Sequence, residues 1–222
     1  MRMRRSIVLI ALASSLAAQA AKPLPRTAPP APAAPVTSAS GFTVPPRTAG
    51  SKDAPITIEV WTDFECPTCK MLYMNTLKPL IPDYCTPGKV YLIHHDFPLP
   101  QHKYSLLAAV WADAAAVVGK YEVVAEALFD KQDSWVATGG VSSVVAGVLS
   151  PADFQKVKQV YDAHQTEIKA IIEEDKKAGT ALDLKETPTM RVSKRGQIIT
   201  DKQPGMVAYV TLKRYLDQQL AK

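Results

Sequence analysis

Ile56-Thr57-Ile58-Glu59-Val60-Trp61, followed by Asp63-Phe64-Glu65-Cys66-Pro67-Thr68-Cys69-Lys70, is the stretch that decides how this chain is read. The first part is β-branched and aromatic and reads as a strand over about 56–62. The apolar-rich run from Met71 to Leu80 continues as a helix over about 67–84, bent near Pro79 and Pro82. Cys66 and Cys69 therefore stand at a strand-to-helix junction. There the free N–H groups of the first turn and the positive end of the helix dipole stabilise a thiolate. A thiol that ionises near neutral pH, with a second thiol one turn away, is the minimum apparatus for thiol–disulfide exchange. Two other readings compete. Neighbouring cysteines can form an inert disulfide, although Pro67 at the first helical position favours an organised helix start. A CxxC can also be half of a zinc site. Zinc needs about four ligands, and only Cys85 and four scattered histidines remain, with no second CxxC or HxxxH spacing.

The first residues read as an export signal. Arg2, Arg4 and Arg5 form a basic region, Ile7 to Ala18 is apolar but short for a membrane span, and Ala18-Gln19-Ala20 is an A-x-A cleavage site. The expectation is a signal peptide over 1–20, with an uncleaved signal anchor as the alternative. Export places the chain where disulfides persist. Residues 21–50 read as a Pro/Ala-rich linker: residues 22–50 hold eight of the 18 prolines and no acidic residue.

The formal net charge of +5 is an N-terminal effect. Six of the 26 Lys and Arg, and none of the 21 Asp and Glu, lie in residues 1–50. That leaves 20 against 21, a net of −1, in residues 51–222. With no basic stripe carrying aromatics, no nucleic-acid partner is expected. Residues 51–222 are long enough for one domain with a substantial core. Further strands are read at Val90–His94, Thr189–Ser193 and Gln197–Thr200, the last two joined by the turn Lys194-Arg195-Gly196. A helical block fills about 102–180, and a last helix runs from Met206 to Leu220. Strand-helix-strand, then strand-strand-helix, with helices between, is an α/β pattern.

With these residues placed, the chain resembles the DsbA-like branch of the thioredoxin superfamily. The likeness rests on Asp63 to Lys70, the run His94-His95-Asp96-Phe97-Pro98-Leu99, the segment Gly119-Lys120-Tyr121 through Ala127-Leu128-Phe129, and Thr187-Pro188-Thr189. It covers nearly all of residues 51–222, in order. The resemblance implies a thioredoxin fold with a helical domain inserted between its βαβ and ββα halves. It also implies a cis Thr187–Pro188 bond beside Cys66; read without the resemblance, Pro188 is a trans proline opening a strand. Thr187 and Pro188 would then bind an extended substrate segment by strand addition. Cys66 and Cys69 would be catalytic, with Pro67 and Thr68 tuning them. The implied partners are cysteine-containing exported proteins and a quinone-linked membrane reoxidase of DsbB or VKOR type. A monomer without metal or cofactor is expected.

The expected activity is disulfide formation in exported proteins, in the periplasm or otherwise outside the cytoplasm. A substrate thiolate attacks Cys66, and a second substrate thiol completes the substrate disulfide. A reductase or isomerase with the same site is the alternative, and a copper- or zinc-binding thiol module is a rival from another class. Cys66 is expected to be the exposed thiol and Cys69 the shielded one. Thr68 is expected to donate its hydroxyl to the thiolate, which carries no positive charge as a histidine would. The expected potential lies between the roughly −270 mV of thioredoxin and the roughly −120 mV of DsbA.

Many relatives carry an acid six positions before the first cysteine. Here that residue is Val60, and strand alternation points Glu59 away from the site. Asp63 and Glu65, read as loop residues, are expected to be solvated. Cys85 lies sixteen residues beyond Cys69, about 24 Å along a helix and beyond disulfide reach. It reads as a buried free thiol, with an intermolecular disulfide as the alternative. His94 and His95 should face opposite sides of a strand; a catalytic or metal role for His94, His95 or His102 is the lesser reading, and Trp61 and Tyr73 are read as packing.

Overall fold

The structure, a computed structural model, describes residues 35–222. The expected signal peptide and residues 21–34 lie outside the described residues. The core is a five-stranded mixed sheet built from β3 (Thr48–Ala49), β4 (Ile56–Thr62), β5 (Val90–Asp96), β6 (Thr189–Lys194) and β7 (Gln197–Pro204). Their spatial order is β3-β5-β4-β6-β7, and only β4 and β5 run parallel. A separate hairpin pairs β1 (Val36–Thr37) with β2 (Thr43–Val44). Between β5 and β6 lies the helical insertion: α3 (Ser105–Val117), α4 (Tyr121–Asp130), α5 (Gln132–Trp135), α6 (Val141–Val148) and α7 (Pro151–Ala181). This is the thioredoxin fold with an inserted helical domain. The chain closes with α8 (Tyr209–Leu220).

The helix after the CxxC is continuous in path but not in winding. It runs as α1 (Pro67–Leu72), a wider π turn over Tyr73–Leu77, α2 (Lys78–Leu80) and a second π turn over Ile81–Cys85. Pro79 and Pro82 cannot donate to the preceding turn, and their rings crowd it. The backbone widens to accommodate them: Lys78 N donates to Tyr73 O and Thr86 N to Ile81 O, each five residues back.

Several boundaries differ from those read in the sequence. β5 extends to Asp96 and β7 to Pro204. The last helix starts at Tyr209 rather than Met206, because the chain stays paired alongside β6 as far as Gly205, whose N–H donates to Pro188 O at 2.8 Å. A linker reaching residue 50 is also corrected, since residues 43–50 belong to the folded unit. Thr48 and Ala49 pair with β5, and Gly50, at φ +89°, lets the backbone pass so close to Val90 that a Cβ would lie 2.3 Å from its carbonyl oxygen.

Arg47 supplies the physical reason for that correction. It is 5% exposed and meets three buried carboxylates. Nη1 grips Asp113 of α3 at 2.9 and 2.8 Å, Nη2 pairs with Asp175 of α7, and Nε lies 3.6 Å from Asp96 of β5. A composition count sees only one arginine among prolines; the fold uses it to neutralise acids from three elements. Burial pushes the Asp113 carboxyl up to about 6, against the pull of Arg47. Replacing Arg47 with Met leaves those carboxylates buried without a cation. The expected loss is about 3–5 kcal/mol of stability, read as a fall in the urea midpoint at pH 7 with the slope unchanged.

Candidate active site

Cys66 occupies the position before the first turn of α1 in extended backbone, φ −75° and ψ 120°, with Pro67 opening the helix. Pro67 has no N–H to leave unpaired there, and its fixed φ suits the first turn. Cys66 keeps 6% exposure and Cys69 none, so the expected order of accessibility holds, though the margin is small. All three cysteines are free thiols.

The two sulfurs are driven in opposite directions. A hydrogen bond from the Cys69 thiol is the largest influence on Cys66. Burial opposes it, the backbone N–H groups of Cys69 and Thr68 reinforce it, and the Cys66 thiol comes down to about 6. Thr68 thus acts through its amide, where the sequence suggested its hydroxyl. Burial pushes the Cys69 thiol far above the ordinary range, and the neighbouring Cys66 adds to that. One sulfur is a thiolate near neutral pH while its neighbour holds a proton and donates it as a hydrogen bond.

The Thr187–Pro188 bond is cis. It brings Thr187 O to 3.5 Å from Cys66 Sγ, across 121 residues of sequence. The Thr187 side chain is buried beside the two sulfurs and helps to lower both. Beyond Pro188, residues of β6, β7, α8 and the loop between the last two line an open pocket of about 420 Å³, including Met190, Met206, Val207 and Leu212.

The expectation that Asp63 and Glu65 are solvated is corrected: Asp63 is buried and Glu65 half-buried, both with hydrogen-bond partners. Asp63 is 1% exposed. Its carboxylate accepts from Glu65 N at 2.8 Å, Leu99 N at 2.7 Å and His102 Nδ1 at 2.8 Å. Its own N–H donates to Cys69 Sγ at 3.4 Å. Glu65 accepts from Tyr104 N at 2.6 Å. Gln132, at the start of α5, donates to Phe64 O at 2.7 Å and Cys66 O at 3.1 Å. Gln132 was not singled out in the sequence, because a lone glutamine in a helical block carries no spacing signal.

Other residues fall where alternation puts them. Val60 faces the apolar core beneath the CxxC helix, while Glu59 points to the opposite face and bonds Arg191 at 2.9 and 2.7 Å. His94 and His95 diverge as expected. His94 lies near Tyr73, Tyr121 and Glu122; His95 stacks on Trp61 and meets Glu59 and Asp175. Trp61 and Tyr73 are buried packing residues. Cys85 is 1% exposed, and burial pushes its thiol up to about 12. Among the described residues no three His, Cys, Asp or Glu side chains converge as metal ligands.

Comparison with known proteins agrees with this geometry. The family model described as thioredoxin matches residues 43–210. The probable disulfide bond formation protein D of Bacillus cereus is 24% identical over 182 residues, 79% of this chain and 79% of that protein. The Na(+)/H(+) antiporter NhaA 1 of Mycolicibacterium vanbaalenii is 29% identical over 147 residues, 65% of this chain; the chain spans about a fifth of that protein's length, 22%. Among solved structures, Wolbachia pipientis alpha-DsbA1 superposes with a TM-score of 0.65 at 20% identity, covering 78% of this chain and 89% of that one. That likeness shows the fold.

The depressed Cys66 value carries a pH signature. The folded protein prefers the thiolate, so its contribution to stability is complete above the ordinary thiol value near 9 and is lost as pH falls through about 6. The reduced protein should gain stability over its Cys66→Ser variant between pH 6 and pH 9. Denaturant midpoints measured under reductant would show it, and a constant difference across that window would contradict the thiolate.

Proposed function

Since the chain belongs to the thioredoxin family, we propose that it is a thiol:disulfide oxidoreductase that forms disulfides in exported proteins through Cys66 and Cys69. The observation that carries this reading is the paired shift of the two sulfurs: a thiolate held near neutral pH by a buried thiol one turn away. An inert disulfide would not require that asymmetry. The B. cereus relative's printed name supports the same activity.

In the oxidising cycle a substrate thiolate attacks Cys66 of the Cys66–Cys69 disulfide. The S–S bond breaks, Cys69 leaves and takes up a proton, and substrate and Cys66 share a mixed disulfide. A second substrate thiolate attacks the substrate sulfur of that bond and expels the Cys66 thiolate. The substrate leaves oxidised by two electrons, and the pair is left reduced. Thr187 offers its backbone to an extended substrate strand beside Cys66. The largely apolar pocket that begins at Met190, two residues beyond Pro188, suits a segment with an apolar side chain.

A low thiolate pKa stabilises the reduced form and makes the disulfide more oxidising. A Cys66 value of about 6 lies between roughly 7 for thioredoxin and roughly 3.5 for DsbA. It supports an oxidant of intermediate strength, which needs a membrane partner to accept its electrons. The basic, apolar and A-x-A regions of residues 1–20 support export. Among the described residues no helix is long and apolar enough to cross a membrane.

Equilibration of the Cys66–Cys69 pair with a glutathione series tests the direction. A potential above the thioredoxin value of about −270 mV is expected; a value at or below it would make the protein an electron donor. Cys66→Ala should abolish exchange. Cys69→Ala should accumulate mixed disulfides through Cys66, and failure to trap any would reverse the roles given to the two sulfurs.

A further inference from the structure

Asp63 is where the redox pair meets the segment leading into the helical insertion. Its N–H donates to Cys69 Sγ at 3.4 Å, and its carbonyl accepts from Cys66 N at 3.1 Å. Its side chain has no solvent exposure and three donors: Glu65 N, Leu99 N and His102 Nδ1. A buried carboxylate stays where its donors hold it. Two of these donors are backbone groups, fixed by the chain path. The third is a side chain, and His102 keeps 21% exposure.

The contacts form a relay of hydrogen bonds. His102 Nδ1–H donates to the Asp63 carboxylate. The Asp63 N–H donates to Cys69 Sγ at 3.4 Å, and Cys69 is in turn the largest influence lowering the Cys66 thiol. A donor on the Cys69 sulfur withdraws electron density and strengthens the bond that sulfur makes in turn. Resting on the exchange chemistry proposed above, we propose that His102 is a positioning residue for the redox pair. By fixing the Asp63 side chain it holds the Asp63 amide on the Cys69 sulfur, so that Cys69 donates well to the Cys66 thiolate. His102 belongs to the loop entering the insertion, and through it the insertion reaches the reactive sulfur without touching it.

A plain structural tether makes a different prediction. Glu65 and Tyr104 N form such a tether beside it. Losing a tether lowers stability and leaves the thiolate alone, whereas losing the positioning contact weakens the thiolate. The charge of a protonated imidazole is a third reading, and it is separable because Asn offers a neutral donor close to the place of Nδ1.

The test uses the full chain under reductant with His102→Ala and His102→Asn. Iodoacetamide alkylation of Cys66 is followed by mass spectrometry from pH 4 to 9, beside the thermal midpoint. For His102→Ala the profile should move to higher pH, with alkylation at pH 5 slowed about threefold because thiolate is the reacting species. The glutathione equilibrium should shift toward the oxidised protein by a similar factor. His102→Asn should restore both.

A lowered midpoint with an unchanged profile would make His102 a tether and overturn the proposal. An alanine shift that asparagine does not restore would assign the effect to charge, and would overturn it as well. If His102→Ala does not fold, His102→Gln keeps a side chain of similar size but displaces the donor, and the same profile is read. Alkylation does not depend on a protein substrate. A wild type that exchanges no disulfides would sink the proposed function, while the variants would still decide the role of His102.

Discussion

The helical insertion that frames the reactive end is joined to the sheet through one buried guanidinium. Arg47 takes charge from β5, α3 and α7 at once, and these three elements are the sheet and the two helices that carry the insertion. Three carboxylates buried together repel one another; around one arginine they become the joint between sheet and insertion. Asp175 extends that joint by accepting from Asp96 N at 3.2 Å and approaching His95. The close approach of α7 to the sheet is visible at Gly179, where a Cβ would collide with the ring of Phe97 at 2.7 Å. With the insertion seated, Gln132 reaches the carbonyls of Phe64 and Cys66, and the loop through Leu99 and His102 reaches Asp63.

The sheet puts Glu59 on the face away from the thiols, while His94 and Glu122 lie on the side of the CxxC helix. On β4, Ile56, Ile58 and Val60 face the CxxC helix, whereas Glu59 and Trp61 face the other side. Glu59 is spent on Arg191 and His95. Burial raises its carboxyl, but the bonds from His95 and Arg191 outweigh that and leave it below the usual range. On this strand the residue facing the CxxC helix is therefore Val60, not a carboxylate. The Cys66 thiolate is held by hydrogen-bond donors rather than by a facing cation, which agrees with a thiol lowered to about 6 and no further.

What was legible in the sequence followed from local physics. The strand at 56–62, the helix start at Pro67 and the asymmetry of Cys66 and Cys69 come from β-propensity, the fixed φ of proline and the position of a thiol at a helix N-terminus. The divergence of His94 and His95 follows from strand alternation alone. Arg47, Asp63 and Gln132 were misread or missed because their meaning lies in partners far along the chain. Arg47 finds Asp175 across 128 residues, Asp63 finds His102 across 39, and Gln132 finds Cys66 across 66. A composition window counts Arg47 as part of a spacer and Asp63 as a polar loop residue. Only the fold shows that each is a buried ion with its donors or acceptors in place.

The opposed shifts of the two sulfurs also bias the fate of a mixed disulfide. Once a substrate is joined to Cys66, two thiols compete for the bond. Cys69 is nearer, but burial keeps it protonated, and a thiol without its thiolate is a poor nucleophile. A substrate thiol in water ionises more readily and attacks its own partner sulfur. Cys66 is then the leaving group, and its stabilised thiolate departs easily. In the proposed oxidising cycle, the burial that shields Cys69 and the donors that stabilise Cys66 therefore act together: they favour completion of the substrate disulfide over return of the electrons to the substrate. In the same proposed cycle, Val60 on the strand beneath the CxxC helix offers no carboxylate to take the Cys69 proton, which acts the same way.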